Sequence, residues 1–277
     1  MAGEDRPRVR RADPPVAGEP EAMPKFYKSP KLIRSIAALL CSMAPVVAHA
    51  QASASLKKEA VADVDAHAKM VQQAVDQIFS YAEPGFQEVR STRYIADLLE
   101  ANGFKVEFGV AGIPTAFKAT WGESGPLIAM GSDIDCLLGL SQYPGMAKLT
   151  PMVEGAPGHG EGHNSGMPLI VAAAIAAKDV MSKHGIKGRL LVWPGIAEEL
   201  LASKAYFVRA GLFKGVDANI FTHVGSEFGT AWGDLGSNGM VSVEYTFHGK
   251  TAHAAADPWD GLSALDGVEL MDTAWNF

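Results

Sequence analysis

Cysteine is nearly missing from this chain: 277 residues carry two, Cys41 and Cys136. The first falls in a segment expected to be removed, so one thiol remains, an internal disulfide is excluded, and stability must come from packing or metal. A long basic block is missing too. The formal net charge of -7 is spread along the sequence, which leaves no electrostatic reason to expect a nucleic-acid partner. The apolar stretch Ser35 to Val47 is too short to span a bilayer comfortably, so no stable membrane anchor is expected from it.

What that stretch does have is the layout of a secretory signal. Lys25, Lys28, Lys31 and Arg34 precede it and Ala48-His49-Ala50 follows, so cleavage is expected before Gln51, and the mature chain is expected to be periplasmic or secreted. Residues 1–22 lack periodicity and would sit awkwardly ahead of a signal, which makes Met23 the expected start. Arg10-Arg11 leads into Ala12-Asp13-Pro14-Pro15 instead of an apolar region, so twin-arginine export is discounted. Leu40 before Cys41 is a poor match to the small residue that lipid attachment wants. With 48% hydrophobic and 20% charged residues, the remainder can bury a core and reads as one domain plus part of another.

Val61, Val64, Ala68, Val71, Val75 and Ile78 alternate spacings of three and four, which predicts one face of a long helix ended by Glu83-Pro84-Gly85. Ser91 or Thr92 is the expected cap of a second helix with the stripe Tyr94, Ile95, Leu98 and Leu99, stopped at Asn102-Gly103. Strands are expected at Lys105 to Val110, Ala116 to Trp121 and Pro126 to Met130, the last leading into Asp133-Ile134-Asp135. Leu169 to Met181 is apolar on nearly all sides and predicts a helix buried against a sheet. A strand at Arg189 to Trp193, a helix at Leu200 to Val208 and a buried strand through Ala218 to Thr222 continue the alternation. The expected fold is therefore α/β and layered, with chemistry at strand ends. Past Gly236, Val241, Val243, Tyr245 and Phe247 predict a strand, and Leu265, Val268 and Met271 a helix from near Ser263 to the terminus. These belong to a smaller second domain inside which the chain is expected to stop. The expected division is residues 1–50 as extension and signal, 51–236 as the first part of a catalytic metal-binding domain, and 237–277 as a truncated lid.

Three segments carry chemistry. Gly158-His159-Gly160-Glu161-Gly162-His163-Asn164 offers Glu161 and His163 from one side of a short extended loop, and carboxylate and imidazole both suit zinc or manganese. A Gly-rich turn at the surface explains the same residues. Glu198-Glu199 sits where backbone leaves a strand, so one carboxylate can bind metal while its neighbour faces water; a helix N-terminus favoured by its dipole is the rival. His223 follows the strand through Ala218 to Thr222 as a further ligand or as a buried hydrogen-bonded histidine. Asp133 and Asp135 are strand-end turn residues or orient ligand imidazoles. His67, His184, His248 and Cys136 need no functional reading.

Gly131 to Gln142, Pro157 to Gly166, Trp193 to Leu200, His248 to Ala255 and Ser263-Ala264-Leu265-Asp266 together resemble the amidohydrolases of the M-twenty metallopeptidase family. They are most similar to the bacterial branch with p-aminobenzoyl-glutamate hydrolase and the aminoacylase-like and indole-acetyl-amino-acid hydrolases. The resemblance runs from about Ala66 to the end. It implies a layered α/β catalytic domain with a smaller α+β lid for dimerisation, two divalent metal ions (Zn or Mn), and hydrolysis of an amide between an acyl group and an amino acid. On that resemblance Glu198 is the general base; Glu161 occupies a ligand position where much of the branch has Cys; His163, Glu199 and His223 are metal ligands; and Asp135 is supporting. His253 matches a histidine offered by the lid to the active site of a homodimer partner. A carboxylate in place of thiolate tilts preference toward manganese. The family's last histidine ligand is expected beyond Phe277.

The expected activity is metal-dependent hydrolysis of a small-molecule amide, an N-acyl amino acid or a p-aminobenzoyl-glutamate-like conjugate. The rivals are a non-catalytic binding module or inactive fragment on the same fold, and a carboxypeptidase acting on peptides.

Overall fold

The computed structural model describes residues 53–201, 203–233 and 241–277. The expected signal, the start at Met23, Cys41 and the boundary at residue 237 lie outside the described residues. Two units separate, Met1–Ala62 and Asp63–Phe277. In the first, residues 53–62 are helical. All elements below belong to the second.

The predicted first helix is broken: α1 spans Ala68–Tyr81 and buries Ala74 and Ile78. At His67 the ring Nδ1 lies 2.8 Å from the Asp63 carbonyl, the same oxygen its own amide reaches, and the backbone leaves helical geometry there. Helix α2 spans Val89–Ala101 and starts ahead of the expected caps. Ser91 and Thr92 are buried inside it. The Glu83 carboxylate accepts from the Arg90 and Ser91 amides at 2.9 and 2.8 Å, so the free amides of the first turn are satisfied by an acid from outside the helix.

Five strands follow: β1 (Lys105–Phe108), β2 (Phe117–Trp121), β3 (Leu127–Asp133), β4 (Arg189–Gly195) and β5 (Ala218–Thr222). Their order is β1-β2-β4-β3-β5. The first two ladders are antiparallel, and β3 pairs in parallel with both β4 and β5. Helix α3 (His163–Lys183) links β3 to β4, and α4 (Ser203–Arg209) links β4 to β5. The connection out of β3 thus goes first to one side and the next to the other, the switch point where open α/β sheets gather ligands outside the carboxyl ends of their strands.

Helix α3 begins well before the expected Leu169. Pro168 lies inside it, removes one backbone hydrogen bond, and hides the true start from a reading of propensity. It is apolar and long enough by composition to cross a membrane, and it is largely buried against the sheet, with Met167, Ile170, Val171, Ala174 and Ile175 in the core. On the opposite face Trp193 stacks on Phe221 at 5.5 Å and meets Phe207 edge-on at 6.1 Å. Strand β5, expected to be buried, is exposed along most of its length, because among the described residues it is the edge of the sheet and pairs only with β3.

Among the described residues Val241 to Phe247 has strand patterning but no ladder. A strand needs a hydrogen-bonded neighbour, and among the described residues only the bridge between Lys250 and Leu262 occurs nearby. Helix α5 (Ala264–Trp275) starts as expected, with the Ser263 hydroxyl accepting from the Asp266 amide at 3.2 Å.

Candidate metal centre

Because β3, β4 and β5 are parallel, their carboxyl ends open on one edge. Strand β3 ends at Asp133 and delivers Asp135, both fully buried. Strand β4 ends at Gly195 and turns through Ala197 into a short 3-10 turn, Glu198–Leu200. That turn is separate from α4, which starts at Ser203, so Glu198 and Glu199 are not the first turn of that helix. Strand β5 releases His223. The fourth contribution comes from α3: Gly162 is left-handed (φ 90°), and His163 is the first residue of the helix, buried. The expected extended loop holding both Glu161 and His163 is therefore replaced by a reversal at Gly162, which sends His163 inward and leaves Glu161 half-exposed.

His163 is the hub. Its Nδ1 lies 3.1 Å from the Asp135 backbone oxygen, and the His223 Nδ1 lies 2.7 Å from the Val224 oxygen. Carbonyls only accept, so both Nδ1 atoms carry the proton. The two Nε2 atoms then face each other with lone pairs, 3.1 Å apart. Two nitrogens about 2.0–2.1 Å from one tetrahedral cation stand roughly 3.3 Å apart. Such a pair needs a cation, or a proton, between its members.

Carboxylates close around the same point. Glu161 places one oxygen 3.7 Å from the His163 Nε2 and the other 3.7 Å from the His223 Nε2. Glu198 and Glu199 reach His163 from different sides of its ring, Glu198 Oε2 3.9 Å from Nε2 and Glu199 Oε1 3.9 Å from Nδ1. One ligand atom from each of Glu161, His163, Glu198 and Glu199 lies within 4.8 Å of the others, as do those of Asp133, His163 and His223. Asp135 also fixes the acidic turn by accepting from the Glu199 amide at 3.1 Å.

The charges are under strain. Burial, then the neighbouring Glu161 carboxylate, pushes the Glu199 carboxyl up to about 7. Burial pulls His163 down, but Asp135, Asp133 and Glu199 outweigh it and hold the imidazole up at about 9. Burial raises Asp133 to about 6 against the pull of Lys204. Among the described residues, Asp135 Oδ1 and Glu199 Oε1 are buried with no hydrogen-bond partner. Facing imidazole lone pairs, partnerless acidic oxygens and a mixed nitrogen and oxygen donor set all fit a divalent cation.

His253 is not part of this cluster: it is exposed, and its Nδ1 accepts from the amides of Ala255 and Ala256 at 3.2 and 3.0 Å. His159 is half-buried with Nε2 3.2 Å from the Ile78 oxygen, and the loss of water around it holds it down at about 4, a neutral structural ring. Cys136 is a buried thiol pushed up to about 12 by burial and nearby carboxylates, and is inert. Two neighbours escape a reading of the sequence. Lys204 puts its ammonium 2.8 and 2.9 Å from the two Asp133 oxygens and 3.9 Å from Glu198. Glu88 accepts from the Ala197 amide at 2.8 Å. Neither belongs to a recognisable ligand motif.

No protein-family model matches the chain. It is 38% identical over 202 residues to one of the subunits of the Escherichia coli p-aminobenzoyl-glutamate hydrolase, covering 73% of this chain and 42% of that protein. It is 29% identical over 225 residues to the mouse Xaa-Arg dipeptidase, covering 79% of this chain and 49% of the relative. The chain thus spans less than half the length of these curated relatives. A solved structure from methicillin-resistant Staphylococcus aureus, assigned as an aminohydrolase, superposes with a TM-score of 0.52 at 20% identity, over 60% of this chain and 42% of that one, a likeness of fold. The identity with the Escherichia coli hydrolase agrees with the resemblance to the M-twenty metallopeptidase family read from the motifs, and within it with the branch that contains p-aminobenzoyl-glutamate hydrolase.

Proposed function

We propose that the protein of which this chain is part hydrolyses the amide bond of N-acyl amino acids or p-aminobenzoyl-glutamate-like conjugates. The observation that carries this reading is the opposed pair of histidine Nε2 atoms ringed by Glu161, Glu198 and Glu199. His163, His223, Glu161 and Glu199 would hold divalent cations. When bound, such cations supply the positive charge that polarises an amide carbonyl and brings the pKa of water to about 7.

The side chains do the rest. Glu198 takes the proton of the attacking water and passes it to the leaving amine as the tetrahedral carbon collapses. Lys204 stands 3.9 Å from the Glu198 carboxylate and 2.8 Å from Asp133, which positions its ammonium beside the base. The Asp135 carbonyl fixes the tautomer and ring orientation of His163. We read residues 237–277 as lid, with His253 offered across a homodimer to polarise the carbonyl, and the protein as periplasmic or secreted. Glu161 in a ligand position favours manganese over zinc. The dipeptidase relative supports a second substrate class, dipeptides, on the same chemistry.

The test is a panel of N-acyl amino acids, p-aminobenzoyl-glutamate and dipeptides with added manganese or zinc, run on the longest reading frame and on its Glu198→Ala variant. Turnover in the parent with metal, lost in the variant at unchanged metal content, is the expected result. Activity that survives Glu198→Ala removes Glu198 from the role of base.

A further inference from the structure

The segment Glu83–Glu88 touches both acidic strand exits without contributing a ligand. On the β3 side, the Cys136 amide donates to the Glu83 carbonyl at 3.1 Å and Pro84 bridges Cys136, directly after Asp135. On the β4 side, Glu88 is fully buried, and one of its carboxylate oxygens accepts from two amides, Phe86 at 3.0 Å and Ala197 at 2.8 Å. Both donors are non-glycine residues in the left-handed region, Phe86 at φ 64° and Ala197 at φ 51°. That backbone is unfavourable for residues with a side chain and persists only where surroundings enforce it. The second oxygen of Glu88 accepts from the Thr115 hydroxyl at 3.1 Å, which anchors the carboxylate to the body of the domain. Gly85 packs so closely on Ala197 that an added Cβ would lie 3.0 Å from its Cα and Cβ.

We infer that Glu88 is a positioning residue for the metal centre: its buried carboxylate clamps the left-handed Ala197 and so sets where the next two residues, Glu198 and Glu199, project. The geometry is specific. Leu201, on the far side of the same 3-10 turn, is also left-handed (φ 51°), so the turn is reversed at both ends and depends on an outside partner to keep its shape. The Glu199 amide is already held by Asp135; among the described residues the Ala197 amide is held by Glu88 alone. A charged acceptor makes these hydrogen bonds short and strong. Burial raises the Glu88 carboxyl, and the amides and hydroxyl around it counter that rise.

This role rests on the metal-binding reading, so the test uses metal alone as the probe. Zinc or manganese is titrated into the metal-free chain, wild type beside Glu88→Ala and Thr115→Val, with circular dichroism and melting temperature recorded for each. Both substitutions break a buried hydrogen bond of the same carboxylate cluster, but only the first frees the Ala197 amide. Glu88→Ala is expected to weaken metal binding by about tenfold or more, the scale found when a partner behind a ligand is removed, while Thr115→Val stays within about twofold of wild type. Equal effects of the two substitutions, or wild-type affinity in Glu88→Ala, overturn the proposal. Should Glu88→Ala lose its fold, Glu88→Gln decides: a neutral acceptor holds the amides more weakly, so affinity falls by about threefold or more, and wild-type affinity overturns the role. A wild-type chain that takes up no metal overturns the metal reading itself and this role with it, a result separate from metal binding that ignores Glu88.

Discussion

Glu198 and Glu199 are adjacent in sequence and unlike in surroundings. Glu199 is pushed up to about 7 by burial and by Glu161, whereas Glu198 has the Lys204 ammonium 3.9 Å away. The position of Glu198 in the Ala197-Glu198-Glu199 motif, matched by resemblance to the general base, is the reason for assigning the base to it. General bases contribute about 10²- to 10⁴-fold to rate, and the loss on Glu198→Ala is expected in that range. At this scale the sequence was informative where residue types cluster: Glu161, His163, Glu198 and Glu199 were legible from two short motifs. Lys204 and Glu88 were not, because a lone Lys within a short helix or a lone Glu just ahead of one has no spacing that distinguishes a surface charge from one folded onto a site. Only the crossing of chain segments far apart in sequence reveals them.

At the scale of elements, the site exists because α3 approaches β3 closely. Gly166 faces Ser132, and a Cβ there would overlap the Ser132 Oγ, which donates to the Thr222 carbonyl at 2.7 Å. That contact ties together the helix that starts with His163, the strand that ends at Asp133 and the strand that precedes His223. Gly166→Ala is therefore expected to destabilise the fold by about 1–3 kcal/mol, the usual cost of overpacking, read as a lower denaturation midpoint at an unchanged denaturant slope. A midpoint equal to wild type contradicts this packing. The strand and helix order was legible from hydrophobic periodicity, since β3, α3, β4 and β5 all fall on predicted segments. The starts of α2 and α3 were not. In the first case Glu83 caps from a distance, and in the second Pro168 disguises a helix that already includes His163. Val241–Phe247 shows the converse, since alternation marks a surface suited to a sheet but cannot supply the neighbour that completes a ladder.

Across the whole molecule the acid cluster makes stability depend on pH and metal together. Within the cluster Asp133, Glu199 and His163 bind protons more tightly when folded, near 6, 7 and 9 against ordinary values of 3.8, 4.5 and 6.5. Each therefore contributes stability that is present at low pH, and that contribution is lost as pH rises through its folded value. The metal-free chain is expected to melt at progressively lower temperature from about pH 5 to about pH 9. Added divalent metal should flatten or reverse the slope, because ligands bind it in their deprotonated forms. A melting temperature in chelator that rises across this window would contradict the arrangement of charges described.

The claim on which the rest depends is that His163 and His223 face one another across a cation. The most direct measurement is elemental analysis of the purified chain after equilibration with zinc or manganese and removal of free ion, beside His163→Ala handled identically. Divalent metal in stoichiometric amount is predicted for the wild-type chain, and its loss for the variant. A wild-type chain without metal, or a His163→Ala chain that keeps it, would contradict that claim.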